Sequence, residues 1–132
     1  MTEPPGAPTI LIAEEDVGFL WWLGELFNEL GYRSLPALST AQALSLLEKS
    51  GRRADLLILN PDLKGARRLF ETLGKSGSLK LVLIGGPEKH AAFGVEPLAV
   101  IEQPTGRGPI SRAEWRQKLQ HLLIEVGFRA AS

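Results

Sequence analysis

The stretch Ala54-Asp55-Leu56-Leu57-Ile58-Leu59-Asn60-Pro61 constrains the fold more than any other part of the chain. Its apolar residues run almost without a break and without alternation. That pattern suits a central parallel strand covered on both faces. Pro61 has no N–H to give to a ladder and pushes Asn60 toward extended geometry, so the strand stops there. Open parallel sheets place their working residues just beyond the carboxyl ends of the strands. Asn60 occupies such a seat, and it is an amide, not a carboxylate.

The flanking segments alternate in the same sense. Thr9 to Ala13 reads as a strand, followed by Glu14-Glu15-Asp16 and a helix to about Glu29, with a stripe of Phe19, Trp22, Leu23, Leu26 and Leu30. Gly31 stops that helix. Tyr32 to Leu38 is a weaker strand whose Pro36 suits a sheet edge. Ser39 and Gln42 form a capping box for a helix over Ala41 to Lys49. Beyond Pro61, a short helix from Arg67 to Leu73 precedes a strand from Leu79 to Ile84. One or two helical turns follow over Glu88 to Phe93, then a strand from Leu98 to Ile101. Ser111 to Glu114 is a second capping box, opening a last helix to about Val126 with Ala113, Leu119, Leu122, Leu123 and Val126 inward. Strands alternating with helices give an α/β sheet. A leader over 1–8 and a tail over 128–132 flank one domain over 9–127.

The 132 residues suffice for one core, and Lys plus Arg balance Asp plus Glu at 15 each. No global field points to nucleic acid or to a membrane surface. The charge is uneven: residues 1–31 carry six acidic groups and no Lys or Arg, whereas 105–132 carry five Lys or Arg against two Glu. The absence of cysteine excludes disulfides and thiolate metal sites. The Pro-rich, acidic start does not read as a signal peptide. The apolar run Val17 to Leu23 falls short of the roughly 20 residues of a membrane span. A cytoplasmic location is expected.

In order and spacing, Ile10 to Asp16, the helix ending Leu30-Gly31-Tyr32, Leu56 to Asn60, Leu81 to Gly85, and Val100 to Pro104 resemble the response-regulator receiver domain. The resemblance implies a doubly wound, flavodoxin-like sheet of five parallel strands in the order 2-1-3-4-5. It also implies a site for phosphoryl transfer from a histidine kinase to an aspartate. In that family an acidic pair and the acceptor aspartate hold Mg²⁺, a Ser or Thr ends strand four, and a Lys precedes a proline after strand five. The corresponding positions here are Glu14 and Glu15, Asn60, Gly85, and Gln103 before Pro104.

Each change weakens the chemistry. A neutral amide neither attacks phosphorus nor neutralises a metal as a carboxylate does. Mg²⁺ wants charged oxygen ligands in tight octahedral geometry. Gly85 has no hydroxyl for a phosphoryl oxygen, and Gln103 has no charge to offset one. The expectation is a degenerate pseudo-receiver: not an enzyme, without cofactor, with Mg²⁺ binding weak or absent. It would act by protein–protein contact in a bacterial-type two-component pathway or phosphorelay, with a protein partner or a second copy, and with neither nucleic acid nor membrane.

Two alternatives compete with it. One is a divergent response regulator that still accepts phosphate, for which Asp62 is the substitute acceptor; an ordinary turn role for Asp62 is favoured. The other is a small flavodoxin-like enzyme or nucleotide-binding domain, although no phosphate-cradling glycine loop follows the first strand. The segments after Asn60 and from Gly85 to Gln103 are shorter than in the family. The fourth helix should therefore be stunted and the usual output face altered. Leu20 and Trp21 fall outside the expected core stripe and read as a partner surface, or else Trp21 folds over a neighbour. Trp115, placed nearly opposite Leu119, Leu122 and Leu123, is expected to be partly exposed. His90 and His121 read as surface residues.

Overall fold

The computed structural model describes residues 8–103 and 111–127. The elements run β1 (Thr9–Ala13), α1 (Val17–Glu29), β2 (Arg33–Ala37), α2 (Thr40–Ser50), β3 (Leu56–Leu59) and α3 (Ala66–Leu73). A 3₁₀ turn (Gly74–Ser76), β4 (Lys80–Ile84), α4 (Pro87–Phe93), β5 (Ala99–Ile101) and α5 (Arg112–Glu125) follow. The strands form one parallel sheet in the order β2-β1-β3-β4-β5. The leader up to residue 7 and the tail from 128 lie outside the described residues, as does Pro104.

The apolar pattern dictates this arrangement. β1, β3 and the last four residues of β4 are buried throughout, and alternate side chains leave opposite faces of the sheet. Ile10, Ile12, Leu56, Ile58, Val82 and Ile84 pack with α1 and α5. Leu11, Ala13, Leu57, Leu59, Leu81 and Leu83 pack with α2, α3 and Phe93 of α4. β2 forms one edge, and its Pro36 pairs with Ile12 of β1.

Three expectations about helix faces need correction. Leu20 is 2% exposed and belongs to the core. The buried stripe of α1 is Phe19, Leu20, Leu23, Gly24, Leu26 and Phe27, wider than a single i, i+3, i+4 line. Gly24 makes this possible: its backbone lies so near β2 that an added Cβ would come 3.3 Å from Ser34 Oγ, which donates to the Gly24 carbonyl. Trp115 is one turn before Leu119, not opposite it, and therefore shares its face. Its ring meets Phe19 and Trp22 edge-on, at centroid distances of 6.1 and 5.0 Å. Ala113, placed inward by the sequence, is exposed.

The uneven charge also has a structural meaning. Acidic α1 and basic α5 are neighbours, and Arg112 reaches Glu29 at 2.9 Å and Glu25 at 3.5 Å. No helix among the described residues is long and apolar enough to cross a membrane.

Candidate functional site

Sheet register places the site. Ala13 is opposite Leu59 and Leu59 is opposite Leu83; β4 runs one residue further, to Ile84, so Glu14, Asn60 and Gly85 are the first residues past the ends of three adjacent strands. The backbone continues the ladder there: Asn60 N–H donates to Ala13 O at 2.9 Å, and Gly85 N–H donates to Ile101 O at 2.9 Å. Glu14, Asn60, Gly85, Lys89, Glu102 and Gln103 line a cleft of about 280 Å³.

Within the cleft the two innermost polar side chains satisfy each other. Glu14 is 1% exposed and Asn60 8%. Asn60 Nδ2 donates to Glu14 Oε2 at 2.9 Å, and Glu15 N–H donates to the same oxygen at 2.7 Å. Asn60 Oδ1 accepts from Asp62 N–H at 2.9 Å, an Asx turn that fixes the amide's orientation from its other end. An aspartate here would meet Glu14 as one carboxylate against another. Of the acidic pair, Glu14 is thus an internal acceptor and Glu15 is exposed.

The remaining sequence-picked residues have other occupations. Gln103 Nε2 donates to Asp16 Oδ2. Asp16 is at the same time the N-cap of α1, accepting from Phe19 N–H at 3.1 Å. Asp62 is exposed and forms an ion pair with Lys89 at 2.6 Å.

Lys89 is the site residue that sequence reasoning missed. Its Nζ reaches Asp62 from α4, while its stem crosses Gly85. A Cβ on Gly85 would lie 2.7 Å from Lys89 Cδ, and the glycine's φ of +125° is one that side-chain-bearing residues rarely adopt. The Asp62 hydrogen bond, then its charge, hold the ammonium above the ordinary lysine range; partial desolvation opposes this, and Glu14 and Glu88 add to it. The sequence carries no signal for it: Gly85 lies before α4, and the fold of the Lys89 stem back over it is set by tertiary structure. His90, read as a surface residue, places Nε2 3.0 Å from the Gly85 carbonyl oxygen.

These residues do not fit a Mg²⁺ ion. The buried carboxylate is already engaged by an amide and a backbone N–H, a lysine side chain lines the same cleft, and among the described residues no three Asp, Glu or His side chains converge.

No protein-family model matches the sequence, and no curated protein matches it. Solved structures do. A response regulator receiver protein from Sinorhizobium medicae WSM419 superposes with a TM-score of 0.66 at 20% identity, over 93% of this chain and 99% of that one. The chain has the receiver-domain fold. A receiver protein from Burkholderia phymatum gives 0.65 at 15% identity, over 95% and 99% of the two chains. A CheY-like receiver domain protein from Methanospirillum hungatei JF-1 gives 0.63 at 18%, over 92% and 97%. In this receiver fold the strand order is the expected one, and the fourth helix is reduced to seven residues.

Proposed function

We propose that this chain is a pseudo-receiver: a signalling module of two-component type that works by protein–protein contact and does not depend on phosphorylation. The observation that carries the reading is the buried pair of Asn60 and Glu14. The amide at the acceptor position is not an open seat, because both of its ends are hydrogen-bonded within the site. Gly85 offers no hydroxyl, and Gln103 is turned to the cap of α1. On this reading the module is not an enzyme and binds Mg²⁺ weakly or not at all, because a neutral amide holds the acceptor position and already occupies the Glu14 carboxylate.

Contact with a protein partner or a second copy needs an exposed apolar surface. Val17 and Trp21, one turn apart on α1, are 50% and 57% exposed. Trp is enriched among interface anchors. Leu20 drops out of this surface because it is core, and Trp115 contributes at most the edge left free by Phe19 and Trp22.

Beryllofluoride with Mg²⁺ mimics an acyl phosphate on a receiver aspartate. Added to the ¹⁵N-labelled protein, the pair should leave the amide resonances of Asn60, Gly85, Lys89 and Gln103 in place. Saturable shifts of those amides at micromolar to low millimolar ligand contradict the proposal and favour the divergent response regulator.

A further inference from the structure

α4 is held in a way that the receiver resemblance does not supply. It is seven residues long, and Phe93 is the one side chain it buries among those whose burial is described. Isolated helices of this length have almost no stability of their own, so the helix depends on what ties it down. At its first turn, Lys89 Nζ reaches Asp62 Oδ2 at 2.6 Å and His90 Nε2 reaches the Gly85 carbonyl. At its end, Arg67 Nη1 donates to the Phe93 carbonyl at 2.7 Å and the guanidinium lies over the Phe93 ring, 5.7 Å from its centroid. Phe70 meets the same ring edge-on. The helix is thus tied to the β3–α3 segment at one end and to α3 at the other.

The contacts at the first end converge on the cleft. Gly85 has no side chain, and Lys89 lies across the space a side chain would need. Asp62 is positioned by its own N–H to Asn60 Oδ1, so the ion pair rests on the same amide that satisfies Glu14. A chain of contacts runs Glu14, Asn60, Asp62, Lys89, Gly85.

We infer that Lys89 is a built-in counter-cation: its ammonium answers the acidic strand ends from within the chain and pins α4 in one position. A lysine carried on α4 itself supplies this positive charge without an exchangeable metal ion. The consequence for signalling, a permanently set α4, rests on the phosphorylation-independent reading; the clamp itself does not.

Hydrogen exchange of the full chain, in buffer without divalent metal or phosphodonor, tests the clamp. Lys89→Met keeps the stem and removes the charge, and Asp62→Asn removes the partner. The Gly94 amide, which closes α4 on the His90 carbonyl, reports the helix; the Asn60 amide, bonded to Ala13, reports the core. Each single variant should speed Gly94 exchange about two- to fivefold, the range of an exposed ion pair, and leave Asn60 exchange unchanged. The double variant should exchange no faster than the faster single one, since both remove the same contact. Unchanged Gly94 exchange in Lys89→Met, effects that multiply in the double variant, or an equal rise at Asn60 overturns the clamp. Because no phosphodonor is present, the result stands whether or not the chain proves phosphorylatable.

Discussion

A single amide decides the chemistry at the centre of this fold. Asn60 donates to a carboxylate that is almost wholly buried, and the partner of such a group cannot be removed cheaply. Asn60→Asp withdraws the donor and sets a second carboxyl against Glu14. Without metal, the variant should lose about 1.5–3 kcal/mol, what a hydrogen bond to a charged group contributes, measured by urea denaturation at pH 7. The loss should shrink toward pH 5. Two carboxyls sharing a site raise one pKa; the native state then binds more protons than the unfolded one, so stability falls as pH rises above the ordinary carboxyl range. A variant as stable as the parent at pH 7 contradicts the pairing. Asn60 was legible in the sequence because a strand, a proline and a fold rule converge on it. Lys89 was not, since nothing in the spacing of Gly85 and Lys89 reveals that a stem lies across a missing side chain.

α1 illustrates where periodicity stops being informative. Its run Phe19-Leu20-Trp21-Trp22-Leu23 is apolar all round, so several stripes satisfy helical spacing equally well. What selects the stripe is tertiary: Gly24 lets the helix press against β2 at Ser34, which turns Leu20 inward and leaves Trp21 out. Leu20→Ala should therefore cost about 2–5 kcal/mol, as for other buried leucines. Trp21→Ala should change stability by no more than about 0.5 kcal/mol. Urea denaturation of both variants checks the pair; equal losses would mean that Trp21 is also structural. Sedimentation of Trp21→Ala, or its binding to a partner once known, then reports whether the Val17–Trp21 surface works. Trp115 was misplaced for a simpler reason: four residues on a helix return nearly to the same face, so it stacks with Phe19 and Trp22 above Leu119.

On the scale of the molecule, the alternation of buried strands and helices followed from apolar runs and punctuation, whereas the strand order came with the receiver resemblance. What the fold does is not dictated by that order. Function depends on a handful of side chains past the strand ends, and in this chain they form a closed set: an amide on a carboxylate, a lysine on an aspartate, a glutamine on a helix cap. The most direct measurement is the intact mass of the protein after incubation with acetyl phosphate and Mg²⁺. The account predicts the unmodified mass throughout the incubation. A stable added phosphoryl group, mapped to Asp62, Glu14 or Glu15, would contradict it.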